Sequence, residues 1–156
     1  MQRMVPRPTR IVSGGQTGVD RAALDVAIAL GIPHGGWCPR GRLAEDGPIP
    51  DRYELTETDS PEYWVRTKQN VLDSDATLIL YRGRVSGGTE LTLRLARQHA
   101  RPYLVVDMDD PPSRDEFHAW MESNAVDVLN VAGPRESQNP EIAAAAEWFL
   151  QAMFEA

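Results

Sequence analysis

The sequence predicts an α/β fold of the Rossmann-like kind, a mainly parallel sheet with helices on both faces. Three observations predict it. Apolar strand-like runs alternate with helix-like runs from Arg10 to Phe154, the order that builds parallel sheets covered on both sides. One run, Ala76–Tyr81 (Ala-Thr-Leu-Ile-Leu-Tyr), is continuously apolar, as strands buried on both faces are. Three glycine-bearing turns fall at strand-to-helix junctions: Ser13–Gly18, Ser86–Glu90 and Ala132–Ser137. In open α/β sheets ligands sit beyond the carboxyl ends of the strands.

Arg10–Ser13 reads as the end of a first strand. Val19–Leu30 reads as a helix, with Ala22, Ala23, Val26, Ala27 and Leu30 at helical spacing and Gly31 as its stop. A short second strand, interrupted by glycines, is expected over Ile32–Trp37. Cys38–Asp51 is a loop rich in Pro, Gly and charge, and Tyr53–Thr58 a further short strand. Ser60 is placed as the N-cap of a helix that has Pro61 in its first turn and runs to about Leu72. Ala76–Tyr81 follows as a strand, then Thr89–His99 as a helix, ended by Arg101-Pro102. Tyr103–Val106 is the next strand. Ser113 caps a helix over Arg114–Ser123, Val126–Val131 is the last strand and Pro140–Phe154 the last helix.

The chain has 156 residues, 42% hydrophobic and 25% charged, which suits a single domain over residues 1–156 with a sizeable core. The formal net charge of −7 argues against a nucleic-acid binder, which needs a basic face. It leaves room for a local basic pocket. A single cysteine, Cys38, excludes an internal disulfide and a cysteine zinc cluster. No apolar run approaches the ~20 residues of a membrane span. Arg3, Arg7 and Arg10 near the N-terminus precede no apolar signal core, so the cytoplasm is the expected compartment.

The three turns suggest one anion-binding face, because a helix N-terminus offers free N–H groups and partial positive charge. In the first turn, Gly14, Gly15 and Gly18 allow close backbone approach, and Gln16 and Thr17 add polar groups. Asp20 opens the following helix. It favours a helix N-terminus but repels a phosphate, so a ribose hydroxyl, an amine or a metal is its expected partner; a tight turn with a capping acid explains the same residues. In the second turn, Gly87, Gly88 and Thr89 follow the most buried strand, and Thr89 or Ser86 can cap the next helix. Glu90 is a candidate general base or sugar-hydroxyl acceptor, although an acid in a first helical turn is common in its own right. In the third turn, with Gly133, Arg135 can hold a phosphate bidentately and Ser137 can donate a hydroxyl. The motif is neither a Walker loop nor a full Gly-x-Gly-x-x-Gly fingerprint.

Arg40 and Arg42 flank Gly41 in the Cys38–Asp51 loop, beside Glu45 and Asp46. They read either as a lid over an anionic ligand or as a solvated charge cluster. Cys38 has no activating partner beyond His34, and the three histidines lack metal-ligand spacing. No metal site is expected. Trp37 can stack on a planar ring, whereas Trp64, Trp120 and Trp148 fall on helical faces.

The stretches Ser13–Arg21, Gly35–Arg42, Ala44–Gly47, Asn70–Asp75, Gly87–Thr89 and Asn130–Ser137 together resemble the family described as molybdenum-cofactor carriers. That family belongs to the SLOG superfamily, with the LOG ("lysine decarboxylase-like") phosphoribohydrolases as relatives. The resemblance spans nearly the whole chain. It implies a Rossmann-like, commonly oligomeric protein that binds a nucleotide-like or pterin-phosphate ligand at the strand ends. It matches Gly14, Gly15, Thr17 and Gly18 to the first ligand loop and Gly87, Gly88 and Thr89 to the second. The LOG motif Pro-Gly-Gly-x-Gly-Thr-x-x-Glu is broken here: the Pro and the x-Gly are absent, Thr92 stands at the glutamate spacing and Glu90 is out of register.

The expected function is therefore binding of a phosphorylated small molecule, either molybdenum cofactor (molybdopterin) or a nucleotide, for carriage or storage by a homo-oligomer. Backbone amides of Gly14–Gly18 and Gly87–Thr89 would hold the phosphate, with Arg135 and Arg40 neutralising it. The alternative is hydrolysis of the N-glycosidic bond of a nucleoside 5'-monophosphate, with Glu90 or Asp20 assisting water.

Overall fold

A computed structural model describes residues 6–156; Arg3 lies outside the described residues. Five parallel strands form the central sheet: β1 (Arg10–Val12), β2 (His34–Gly35), β7 (Ala76–Tyr81), β8 (Tyr103–Asp107) and β9 (Val128–Ala132). Their spatial order is β2-β1-β9-β7-β8. The last strand of the chain thus lies between the first strand and β7, in register Ile11 to Leu129 and Leu78 to Val131. The predicted Rossmann-like α/β arrangement is what forms.

Strand side chains alternate between two unlike faces. Ile11, Leu78, Leu80, Leu129 and Val131 pack against α1 (Val19–Leu30), α4 (Arg114–Ser123) and α5 (Ile142–Phe154) in one large core. Phe117 of α4 sits at its centre, edge-on to Phe149 and Phe154 of α5 at 5.9 and 5.6 Å between ring centroids. The opposite face carries Thr77 and Asn130, joined by a 3.2 Å hydrogen bond from Asn130 Nδ2 to Thr77 Oγ1. It is covered by α2 (Tyr63–Leu72) and α3 (Gly87–Gln98), which share only a small apolar contact of Val71, Leu95 and Ala96.

Several elements form where their local chemistry predicts. Gly31 ends α1 in the left-handed conformation, φ 71°, which a residue without a Cβ adopts at little cost. Ser113 caps α4 in a full capping box, its Oγ accepting the Glu116 N–H at 3.1 Å while the Glu116 carboxylate accepts the Ser113 N–H at 3.3 Å.

The region between β2 and α2 departs from expectation. The second strand is split. His34–Gly35 pairs with β1, but Gly36, at φ 125°, turns the chain away. Trp37–Cys38 (β3) then pairs with Thr56–Glu57 (β6), the only part of Tyr53–Thr58 that is a strand. The charged loop holds a small hairpin, Leu43–Ala44 (β4) against Gly47–Pro48 (β5). Leu24, Cys38, Ile49 and Tyr53 form a second, smaller core beneath this insert. Ser60 is not the helix cap. Its carbonyl accepts the Arg40 N–H and the Thr58 hydroxyl, at 2.9 and 2.8 Å, which ties it to the loop. Helix α2 begins at Tyr63, with Glu62 as N-cap and Pro61 outside it. The last helix starts at Ile142 rather than Pro140, because Glu141 takes a left-handed conformation, φ 74°. The Glu136 carboxylate then accepts the first-turn Ala143 N–H at 3.1 Å. Strand β9 runs two residues later than the apolar run Val126–Val131 begins.

Candidate functional site

A cavity of about 330 Å³ opens over the carboxyl ends of β1, β7 and β9, on the face covered by α2 and α3. The turn after β1 contributes Gly14, Gln16 and Asp20. The first turn of α3 contributes Gly87, Gly88 and Thr89, followed one turn on by Leu91 and Thr92. From β9 and the turn beyond it come Asn130 and Gly133–Arg135, with Gln138 at the rim.

The remaining wall is α2, through Tyr63, Arg66, Thr67 and Asn70. Their spacing is i, i+3, i+4, i+7, one stripe of a helix. It is a polar stripe, and Arg66 and Asn70 within it are buried at 8% and 3% exposure. Asn70 spans the wall, accepting the Trp37 N–H at 2.8 Å and donating to the Trp37 carbonyl at 3.0 Å.

Arg66 and Asp20 set the electrostatics. Arg66 Nη1 donates to the Gly14 carbonyl at 2.7 Å and lies 3.8 Å from Asp20 Oδ2. Its guanidinium sits 5.3 Å from the centre of the Tyr63 ring. Asp20 Oδ2 also accepts the Gln16 N–H at 3.2 Å. Burial pushes the Asp20 carboxyl up from 3.8 to about 6, against the downward pull of Arg66, the Gln16 amide and Arg21. Arg66 adds a fixed positive charge to a cavity that also borders the first amides of α3. Among those, the N–H groups of Gly87 and Gly88 precede the helical ladder and have no intrahelical acceptor.

The cavity brings together eight of the residues singled out in the sequence: Gly14, Gln16, Asp20, Gly87, Gly88, Thr89, Gly133 and Arg135. The others lie elsewhere. Gly15 faces Leu55 and Ile49, and Gly18 faces the Pro134 carbonyl. Thr17 donates its hydroxyl to Glu45 and accepts the Glu136 N–H at 3.1 Å. Ser137 also serves Glu45, through its hydroxyl at 2.5 Å. Arg40 donates to the Asp59 carbonyl at 3.1 Å. Arg42 binds the carbonyls of Ile49, Pro50 and Tyr53, so both arginines of the expected lid are engaged by backbone carbonyls of residues 49–59. Glu90 is exposed, 3.8 Å from Arg94 one turn along the helix. Neither Ser86 nor Thr89 caps α3 with its side chain: Ser86 occupies the N-cap position without a capping bond, and Thr89 lies inside the first turn.

Trp37 lies outside the cavity, its indole N–H bonded to Asp73 at 2.6 Å. Cys38 is buried, and burial raises its thiol above the ordinary range. Among the described residues no group of three or more His, Cys, Asp or Glu side chains could hold a metal ion. No described helix is long and apolar enough to cross a membrane.

Sequence reasoning missed Arg66, Asn70, Tyr63 and Thr67. The signal is a polar stripe of helical period, whereas helical faces are ordinarily recognised by apolar ones.

A parallel sheet with one polar cavity over its carboxyl ends defines a Rossmann-like ligand-binding protein. The chain belongs to the circularly permutated YpsA SLOG family (cpYpsA), whose sequence profile matches residues 11–154. It is 47% identical to a protein of Syntrophus aciditrophicus SB whose crystal structure is described as "Putative molybdenum carrier protein". The two superpose with a TM-score of 0.91 over 97% of each chain. No curated protein matches the chain.

Proposed function

We propose that the cavity binds a phosphorylated small molecule and that the protein carries or stores it; with a solved relative described as a molybdenum carrier, molybdenum cofactor, which joins that metal to a phosphate-bearing pterin, is the cargo we favour. The observation that carries this reading is the convergence of the open first turn of α3 and the buried Arg66 on one cavity. The first offers free amides and the positive end of a helix; the second offers a guanidinium whose planar fork suits a phosphate. Phosphate would lie against Gly87–Thr89, with Arg66 and Arg135 nearby. A pterin or purine edge, rich in donors and acceptors, would meet Asp20, Asn70 and Asn130. No thiolate borders the cavity, so the chain would grip such a cargo by its phosphate and ring rather than through the metal. A hydrolase reading would have to rest on Asp20 alone, since Glu90 does not line the cavity.

Gly88 supplies the test. Gly88 lines the cavity and a Cβ built there meets nothing within 4 Å, so Gly88→Leu adds bulk at the proposed phosphate site without a clash at its Cβ. Native mass spectrometry of wild-type protein purified from its own host should show a retained phosphorylated molecule, and the Gly88→Leu protein should lack it. Retention of the same ligand by a folded Gly88→Leu protein would sink the assignment. Incubation with a panel of nucleoside monophosphates, with free base as the readout, separates carriage from hydrolysis.

A further inference from the structure

Beside the cavity, the protein's own carboxylate sits where an anion would. Glu45, at the tip of the β4–β5 hairpin, reaches between the first and third turns. Its Oε1 accepts the Thr17 hydroxyl and, at 3.2 Å, the Ser137 N–H. Its Oε2 accepts the Ser137 hydroxyl at 2.5 Å and lies 3.5 Å from Arg135 Nε. Two hydroxyls, an amide and a guanidinium from two separate loops therefore converge on one negative group whose side chain is 20% exposed.

The fit is incomplete in an informative way. Arg135 Nε is buried and makes no hydrogen bond, although Glu45 Oε2 lies 3.5 Å from it. A carboxylate has two oxygens and satisfies the other donors with them. A phosphoryl group has three terminal oxygens and could satisfy Arg135 as well. The nest also abuts the cavity. Arg135 and Gln16 both line the cavity, and Gln16 Oε1 accepts the Glu45 N–H at 2.9 Å.

We infer that Thr17, Ser137 and Arg135 form a second anion subsite on the cavity rim, which Glu45 fills in the absence of ligand and yields to the second phosphoryl group of a diphosphate-bearing ligand. The inference deepens the proposed function and rests on it. Asp46 keeps the hairpin attached when Glu45 leaves, through its paired contacts to Arg21 at 2.5 and 2.7 Å. The subsite thus selects ligands with two adjacent anionic groups over those with one, because only the former can displace Glu45 while remaining held at α3.

Calorimetric titration with orthophosphate and pyrophosphate tests this on the wild-type, Glu45→Ala and Glu45→Gln proteins. Removing the competing charge should tighten pyrophosphate binding by about tenfold while changing orthophosphate binding by less than about threefold. Glu45→Gln keeps the hairpin's shape and should shift binding the same way if Glu45→Ala loosens the loop. In the wild-type protein the Ser137 amide resonance should move when pyrophosphate is added, since that N–H must exchange partners. Orthophosphate binding with pyrophosphate affinity equal or weaker in both variants, or a stationary Ser137 resonance at saturation, would overturn the second subsite alone. Failure of both anions to bind any of the three proteins would overturn it together with the cavity reading.

Discussion

The glycines of the three turns do two different jobs. In the first and third turns they let protein approach protein. A Cβ at Gly133 would lie 2.2 Å from the Leu80 carbonyl and 2.5 Å from Val19 Cγ2. One at Gly18 would lie 2.3 Å from the Pro134 carbonyl, on a backbone already at φ 80°. In the second turn the space is vacant: nothing lies within 4 Å of a Cβ at Gly88, and the nearest atom at Gly87 is 3.9 Å away. The packed glycines weld the turn after β1 to the turn after β9. The open ones leave room for something that is not protein. A glycine-rich turn in a sequence therefore has more than one cause: close approach at Gly133, and at Gly87 a left-handed φ of 54° with open space around it.

The largest effect should come from adding one methyl group to a packed glycine. Gly133→Ala forces backbone or Val19 to move, and should destabilise the fold by about 3 kcal/mol or more, near the upper end for overpacked cores. Urea unfolding measures it. A loss below about 0.5 kcal/mol, the range of innocuous surface changes, would break the distinction between packed and open turns.

Asp20 sharpens the same contrast, because the packed first turn buries its charge. The native state holds the Asp20 proton up to about 6, against 3.8 ordinarily, so between those values it binds more protons than the unfolded chain. Its contribution to stability is complete below 3.8 and is lost as pH rises through about 6. Asp20→Asn removes that titration. Relative to wild type, the variant should gain stability with rising pH across this window, by a total on the order of 3 kcal/mol at about 1.4 kcal/mol per unit. Urea midpoints at a series of pH values report it, and a difference that stays flat with pH would contradict burial as the dominant cause.

Gly14 is the intermediate case. A Cβ there would meet Arg66 Nη1 at 2.2 Å, the far end of a side chain rather than backbone. Gly14→Ala should therefore displace Arg66 and disturb its charged hydrogen bond to the Gly14 carbonyl, costing about 2 kcal/mol. It should also weaken phosphate binding, because the same guanidinium faces the cavity. Calorimetry with orthophosphate, run beside urea unfolding, tests whether both change together; unaltered binding would separate Arg66 from the anion.

What could be read from the sequence follows from how local each determinant is. Helix α1, strand β7 and the capped start of α4 were legible because their apolar spacing, continuous burial and capping box lie within a dozen residues of chain. The placement of the cavity at the strand ends was legible through the alternation of elements. The insert was not, since β3 and β6 are two residues each and exist through pairing across a long loop, Trp37 with Thr56. Arg66 and Asn70 were hidden for a different reason. A buried polar residue is unfavourable unless its partners come from elsewhere in the fold, and here they are the Gly14 carbonyl and the Trp37 backbone. Glu45 stood in a charged loop that read equally as a lid or as a solvated cluster, and its own role stayed hidden because its donors at Thr17 and Ser137 lie 28 and 92 residues away.

The smallest effect should carry the opposite sign. Gly88 has open space around its Cβ and no left-handed φ, so Gly88→Ala imposes no clash and restricts the unfolded chain. It should stabilise the protein by about 0.5 kcal/mol, as alanine does when it replaces glycine at compatible positions. Gly88 lines the cavity, so any loss of orthophosphate affinity should be modest beside the loss expected for leucine at the same place. One substitution, glycine to alanine, would then destabilise at position 133 and stabilise at position 88. Thermal unfolding of the two variants side by side decides it: equal destabilisation would mean that the second turn also needs its glycine for the fold, and that its open space is not reserved for a ligand.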